Sequence, residues 1–267
     1  PLGRAATSGR DRIGSHRRFR VIHLLSDLHL APGDGLTQRF VEYMAGAGRE
    51  ASVIFILGDL FNVWLGDDLS MPKHGAAIDA ISGAVDAGVQ VQIMHGNRDF
   101  LLGPIFESAT GASLIADPWV GELAGVVTLL THGDRYCTQD RSYQAFRSVV
   151  RSQAVQRGFY GMPQRWRVGL ANRLRKGSRQ ATPGKPLQVT DLDSRALYQA
   201  VRDARATRVI HGHSHRPAVH RIGKGKQVIE RYVLEDWRRD TGARVLTLDA
   251  DGRTGSLRIP PVIEPAA

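Results

Sequence analysis

Five short apolar runs, each closing on side chains able to bind a metal, constrain this chain more than any other feature. "FRVIHLLSDLH" ends at Asp27 and His29, "SVIFILGD" at Asp59 and "VQVQIMHGN" at Asn97. "VVTLLTHGD" ends at His132, and "ATRVIHGHSH" at His213 and His215. Apolar runs of this length, bounded by glycine and polar residues, read as buried strands. Between them, "LTQRFVEYMAGAG" and "HGAAIDAISGAVDAG" space their apolar residues as surface helices do, with glycine as the stop. Strands alternating with helices predict an α/β fold. On such a sheet the loops at the carboxyl ends of the strands converge on one crevice.

Each element alone is weak, since Asp-x-His is common and His-Gly-His can be a turn with core imidazoles. The order D-x-H, G-D, G-N, H-G-D, G-H-x-H, each at a strand end, is what points to a dinuclear metal site built from Asp27, His29, Asp59, Asn97, His132, His213 and His215. Carboxylate, carboxamide and imidazole without thiolate suit Mn²⁺, Fe²⁺ or Zn²⁺ better than copper or a structural zinc. Two divalent ions held about 3.5–4 Å apart need a shared anionic ligand, for which Asp59 is the candidate.

Length and charge set the surroundings. A chain of 267 residues with 42% hydrophobic content can bury a sizeable core as one large domain, with or without an insertion. One cysteine, Cys137, excludes a disulfide framework within the chain and a Cys-rich zinc module, and favours a reducing, cytosolic compartment. Residues 1–19 read as a flexible basic lead-in without the apolar core of a secretory signal, and a start without Met suggests a processed or engineered terminus. No stretch approaches the roughly 20 apolar residues of a membrane-spanning helix.

The net charge of +10 is concentrated. Residues 141–190 contain no Asp or Glu and carry eleven Lys and Arg. Such a segment seeks phosphates on a nucleic acid, an anionic bilayer or a substrate. It reads as an inserted helical unit over about 141–186, broken near "GFYGMP", with Met162, Trp166, Leu170 and Leu174 forming an apolar stripe. Its aromatics suit a groove for acyl chains, so no nucleic-acid partner is expected. The tail, "YVLEDW" through "ARVLTLDADGRTGSLRI", alternates like hairpin strands around an Asp-Gly turn and is expected to close a sheet edge.

"SDLHL", "GDLFNVW", "GNRD", "THGD" and "HGHSH" together resemble the calcineurin-like metallophosphoesterase superfamily across roughly residues 20 to 220. Within it, "GNRDF", "THGDRYCTQDRSYQAFR" and "HGHSHRPAVH" are similar to the UDP-2,3-diacylglucosamine pyrophosphohydrolases. The resemblance implies a four-layer α/β sandwich with an inserted helical cap over residues 20–267. It implies two divalent ions, with Mn²⁺ preferred, and cleavage of a UDP-linked diacylated glucosamine to UMP and 2,3-diacylglucosamine 1-phosphate in lipid A biosynthesis. It also implies a peripheral place on the cytoplasmic face of the bacterial inner membrane. The metal ligands carried over are the seven above, and the catalytic group is Asp59, Asn97, Arg98 and His132. The substrate contacts fall on Asn97, Arg98, Asp140, Tyr143, Ser178, Thr182, Lys185 and His213. The match departs at Thr182, where an amide is expected, and at Asn62, where the wider superfamily often has Asp.

Arg98 stands where general phosphoesterases of this superfamily place a histidine that protonates the departing alcohol. A phosphate monoester leaving group, with a second pKa of about 6, departs as an anion without a proton. It needs a fixed positive charge, which arginine supplies as a planar fork. The substitution therefore points to pyrophosphate cleavage. Two other functions are weighed: a soluble nucleotide or cyclic-nucleotide phosphodiesterase, and a metal-free scaffold on the same fold. The basic apolar insertion and Arg98 disfavour the first, and the complete ligand set disfavours the second. Elsewhere, Asp67 and Asp68 read as a solvated turn, and His23, His74, His95 and His220 as structural or surface residues. Cys137 reads as a packing residue, and "GKP" at 184–186 lacks the features of a Walker loop.

Overall fold

In the computed structural model, residues 21–181, 191–223 and 228–262 are described. The lead-in 1–19, Thr182 and Lys185 lie outside the described residues.

The apolar runs form strands as their composition predicts. β1 (Val21–Leu25), β2 (Val53–Leu57), β3 (Gln90–Met94) and β4 (Ser113–Ile115) are parallel neighbours in a six-stranded sheet. β2, VIFIL, is buried along its whole length, as a strand covered on both faces must be. β5 (Trp119–Leu123), β6 (Val126–Thr131), β7 (Arg208–His211), β8 (Ala218–Ile222) and β9 (Ile229–Val233) form a second sheet in the order β5-β6-β7-β9-β8. The hairpin expected around "DADG" is β10 (Ala243–Asp249) with β11 (Thr254–Ile259), and β10 pairs antiparallel to β1. The first sheet therefore runs β11-β10-β1-β2-β3-β4, with β11 at its edge.

Helices α1 (Gly35–Ala45), α2 (Asp67–Ser70), α3 (Gly75–Asp86) and α4 (Pro104–Thr110) link the strands of the first sheet. α1 and α3 pack on its outer face through Phe40, Tyr43, Ile78 and Ile81 against Ile54, Ile56 and Ile93. Between the sheets, Leu24, Phe55 and Leu57 meet Leu130, Ile210 and Tyr232. Helices α5 (Arg141–Val150), α6 (Gln153–Tyr160) and α7 (Gln164–Ala181) occupy the acid-free segment, with the break at "GFYGMP" between α6 and α7. α8 (Ser194–Asp203) covers the second sheet through Leu197 and Val201, which pack with Leu129, Val209 and Cys137. Helix, sheet, sheet and helix make four layers, as the resemblance implies.

Asp67 corrects the reading of a solvated turn, whereas Asp68 is exposed as that reading expects. Asp67 is buried, accepts from Trp64 Nε1 at 2.9 Å, and accepts from the backbone N–H groups of Gly103, Ile105 and Phe106 at the start of α4 at 3.0–3.1 Å. It is a helix-terminus anchor that the sequence concealed, because the backbone N–H groups it holds lie more than thirty residues away. Asp68 forms a bidentate ion pair with Arg167, a buried residue of α7 that also lies over the Phe159 and Tyr160 rings.

Candidate metal centre

The five loops meet. Asp27 and His29 follow β1, Asp59 follows β2, Asn97 follows β3, His132 follows β6, and His213 and His215 follow β7. Parallel pairing of β1-β2-β3 and of β6-β7 puts these carboxyl ends on one rim.

The seven side chains form a closed ring of contacts. Asp27 Oδ1 lies 3.2 Å from His215 Nε2, which lies 3.4 Å from His29 Nε2. His29 Nδ1 is 3.8 Å from Asp59 Oδ2, and Asp59 Oδ1 is 3.8 Å from His132 Nε2. Asn97 Oδ1 sits 2.9 Å from His132 Nε2 and 3.0 Å from His213 Nδ1. The His213 backbone N–H closes the ring by donating to Asp27 Oδ2 at 2.8 Å. Asp27, His29 and His215 make one tight cluster, and Asp27, Asp59 and His132 another. Asp27 is shared by both clusters, and Asp59 turns one oxygen toward His29 and the other toward His132.

Backbone conformation marks the same residues. Seven non-glycine residues among those described have positive φ, and five are Asp27, His29, Asp59, His213 and His215. A left-handed backbone costs energy in such residues and persists where the surrounding structure over-determines it, above all at functional sites. The loops can approach this closely because of their glycines. A Cβ on Gly96 would collide with Asp59, and one on Gly212 with Ser26 and Asp27.

Electrostatics suit a cation. His132 Nδ1–H donates to the Leu57 carbonyl at 2.9 Å, which leaves Nε2 facing Asn97 Oδ1. Two ring nitrogens and an amide oxygen thus converge on one point of the crevice. Burial works against a charge on His132, but Asp59, Asp27 and Asp134 push its pKa up to about 9. His215 is also held back by burial, yet contacts with Asp236 and Asp27 raise it to about 10. Burial lowers His29 to about 3, with Arg98 adding to the effect, and lowers His213 to about 4, with His132 adding. Burial raises the Asp59 carboxyl, partly offset by His132. His29 Nδ1 is buried without a hydrogen-bond partner. An orphaned imidazole nitrogen, thiolate-free donors and compact carboxylate–imidazole clusters fit divalent cations of the Mn²⁺, Fe²⁺ or Zn²⁺ kind.

Arg98 stands at the rim. Its backbone N–H donates to Asp59 Oδ1 at 2.8 Å, its Nε lies 3.4 Å from Asp59 Oδ2, and Nη1 donates to Asn62 Oδ1 at 2.8 Å. Asp140 caps α5, accepting from the Tyr143 N–H at 3.1 Å, while the Tyr143 hydroxyl donates to Asp134 at 2.6 Å. Ser178 falls on α7 where side chains are not described.

Sequence reasoning missed three supports. Asp236, in "YVLEDW", orients His215 through Nδ1 at 3.2 Å, and its signal was only a carboxylate just after β9. Asp99 and Asp134 stand inside quoted motifs but received no role. Asp99 accepts from the Gly96 and Phe61 N–H groups at 2.8 and 3.3 Å, tying the Asp59 loop to the Asn97 loop. Asp134 is fully buried and gathers Tyr143, Arg147 and Arg151, and Arg151 also donates to the Gly96 carbonyl at 2.8 Å. Helix α5 is thereby bolted to the two loops that carry His132 and Asn97. Burial would raise the Asp134 carboxyl, but His132, Arg151 and Arg147 hold it below the ordinary carboxylate range.

No protein-family model matches the chain. It is 38% identical over 229 residues to the UDP-2,3-diacylglucosamine hydrolase of Nitrosococcus oceani, covering 85% of this chain and 91% of that protein. It is 39% identical over 226 residues to the protein of the same name from Escherichia coli O81 (strain ED1a), covering 84% and 94% respectively. Among solved structures it is similar to an archaeal phosphodiesterase, with 12% identity, a TM-score of 0.45, and 89% and 99% of the two chains covered. A dimetal phosphatase from Danio rerio gives 15% identity, a TM-score of 0.44, and 91% and 99% covered.

Proposed function

The chain belongs to the UDP-2,3-diacylglucosamine hydrolase family, and we propose that its crevice hydrolyses the pyrophosphate bond of UDP-2,3-diacylglucosamine, releasing UMP and 2,3-diacylglucosamine 1-phosphate. The observation that carries the reading is the closed ring of seven donors with Arg98 pinned beside it.

In this reading Asp27, His29, Asp59 and His215 hold one divalent ion, and Asp59, Asn97, His132 and His213 hold the other, with Mn²⁺ the preferred metal. Such ions supply charge stabilisation at phosphorus and lower the pKa of water. The protein's own share is orientation. Asp236 and the Leu57 carbonyl fix the rings of His215 and His132, so that in each case Nε2 faces the site. Arg98 meets the diphosphate with a charge that needs no proton transfer, which suits a leaving group that departs as a phosphate anion.

Helices α5 to α7 form a cap in this reading. With Asn97, Arg98, Asp140, Tyr143 and His213, the residues Ser178, Thr182 and Lys185 contact the substrate. Phe146, Val149, Trp166, Leu170 and Leu174 are exposed apolar residues of these helices, interleaved with arginines. That combination supports peripheral attachment to the cytoplasmic face of the inner membrane. Among the described residues no helix is long and apolar enough to cross a membrane.

The test is a titration of the chelated, metal-free protein with Mn²⁺ while UMP release from UDP-2,3-diacylglucosamine is followed. Turnover should rise with metal and saturate. A preparation that releases UMP at full rate without metal would overturn the metal reading. One that cleaves simple nucleotide diesters but not this substrate would overturn the lipid reading.

A further inference from the structure

His211 is the last residue of β7, two positions before His213, and holds none of the roles assigned so far. Its ring is fully buried and both nitrogens are engaged. Nε2 lies 2.9 Å from Arg231 Nε on the neighbouring strand β9, and Nδ1 lies 2.8 Å from the Gly212 carbonyl oxygen. A guanidinium has donors only, so Nε2 accepts and the ring proton sits on Nδ1, which donates to Gly212. Arg231 is itself buried, reaches Ser194 Oγ at the start of α8 at 3.5 Å, and has no carboxylate partner among the described residues. A buried guanidinium facing a neutral ring is a costly arrangement, and two apolar side chains would fill the place at less cost. What the pair adds is direction.

That direction leads into the candidate metal centre. The Gly212 carbonyl also accepts from the Ser214 N–H at 2.8 Å, so both its lone pairs are used. At the other end of the same peptide unit the His213 N–H donates to Asp27 Oδ2 at 2.8 Å, where the Ser26 hydroxyl donates at 2.7 Å. Asp27 Oδ1 is left to face His215 Nε2 at 3.2 Å, and His213 Nδ1 stands 3.0 Å from Asn97 Oδ1. Every link from Arg231 to Asp27 runs from donor to acceptor in one sense, so each bond polarises the next. The peptide has no slack, since a Cβ on Gly212 would collide with Ser26 and Asp27. We propose that His211, held from behind by Arg231, is a positioning residue of the metal centre: it fixes the Gly212–His213 peptide, and through it the aim of Asp27 and of the His213 ring. The proposal rests on the metal reading above and names the buried pair that sets the geometry of two of its ligands.

The experiment compares the chelated parent with His211→Asn, His211→Gln, Arg231→Met and the double variant His211→Asn/Arg231→Met, reading Mn²⁺ affinity by calorimetry. The asparagine amide nitrogen takes the place of Nδ1 and reaches the Gly212 carbonyl, whereas the glutamine amide takes the place of Nε2 and does not. Packing alone predicts that glutamine, nearer to histidine in size, is the milder change. The positioning role predicts the reverse: His211→Gln loses on the order of 10- to 100-fold in Mn²⁺ affinity, as loss of a partner behind a metal ligand does, while His211→Asn stays near the parent. Arg231→Met should lose less than His211→Gln, and nothing further in the His211→Asn background, because the arginine acts only through the ring. His211→Asn binding Mn²⁺ no better than His211→Gln, or an Arg231→Met loss that persists in full in the His211→Asn background, overturns the proposal. Should the variants fail to fold, histidine ¹⁵N shifts of the Zn²⁺-loaded parent decide: a His211 ring protonated on Nδ1 alone supports the proposal, and one protonated on Nε2 overturns it. A parent that takes up no Mn²⁺ overturns the metal reading and the proposal with it, whereas equal affinities in the parent and His211→Gln overturn the proposal alone.

Discussion

His29 and His215 face each other with their Nε2 atoms 3.4 Å apart, although they come from loops 186 positions apart in the chain. The two rings are within hydrogen-bond distance, and both Nε2 atoms also face Asp27 Oδ1. With Asp27 beside both, the three side chains form a cluster compact enough to hold a metal ion.

Removing the carboxylate that faces both clusters should therefore silence the protein. Asp59→Ala is expected to abolish turnover, since no neighbouring group replaces its charge between His29 and His132. Chelation should have the same effect on the parent and be reversed by Mn²⁺, whereas Asp59→Ala should not recover. Metal content measured alongside UMP release checks both.

Arg98 separates diphosphate from diester chemistry. Arg98→Ala should cost ~3–4 kcal/mol of transition-state stabilisation, as removal of one preorganised donor does. Lysine should rescue only in part, because it keeps the charge but not the fork. Arg98→His restores a proton donor and should cleave an aryl phosphodiester better than the parent, while losing turnover of the UDP-diacyl sugar. Retention of parental turnover by Arg98→His would count against the clamp.

Asp134 joins α5 to the loops of the site. Asp134→Asn leaves Arg147 and Arg151 without their shared anion. Breaking a buried pair costs about 3–5 kcal/mol, and the partial exposure of the two arginines puts this case near 3. Denaturant unfolding should report that loss, with trypsin cutting earlier within residues 141–160.

His74 sets a pH window for stability. It is buried against Phe61 and Trp64, and burial lowers its pKa from an ordinary 6.5 to about 4, with Lys73 adding to the effect. Above 6.5 the ring is neutral in both folded and unfolded chains. As pH falls from 6.5 toward 4 the unfolded chain takes up a proton that the folded one refuses, so stability declines; below 4 this contribution no longer changes. His74→Phe should flatten part of that decline in urea titrations run between pH 7 and pH 4.

Attachment to membranes should be electrostatic first. Binding to vesicles containing anionic lipid is expected to weaken as salt rises, because surface charges are screened beyond about 8 Å at physiological ionic strength. Trp166→Ala should weaken binding at every salt concentration, since it removes exposed apolar surface rather than charge. Binding that ignores salt would argue against the basic helices as the attachment surface.

The strands that carry the candidate donors were legible because each apolar run stops at a residue of distinctive chemistry, whereas their division into two sheets and their order were not. Reading Asp59 beside His132 needed only the rule that parallel strand ends converge. What stayed hidden depended on distant partners. Asp236 is twenty-one positions from the ring it orients, and Asp67 holds N–H groups more than thirty residues away. No local pattern distinguishes such carboxylates from solvated ones. The left-handed backbone at five donors was equally invisible, because Asp and His carry no signal for it as glycine does. Asp140 and Tyr143 entered through resemblance alone, and the structure adds a capping role for one and a bond to Asp134 for the other.

The pairing of β1 with β10 has a consequence for the order of assembly. A chain leaves the ribosome amino end first, so β1 appears before its partner β10, and the edge they share stays open until β2 to β9 have been made. Asp27 leaves with β1, but His215 follows only after β7, and Asp236 and Trp237, whose N–H binds the Asp27 carbonyl, only after β9. A nascent chain released early therefore has neither a sealed sheet nor a finished centre. The full donor set is complete only once β7 and its following loop have been made, and a fragment that stops before β10 carries a bare strand edge open to other chains.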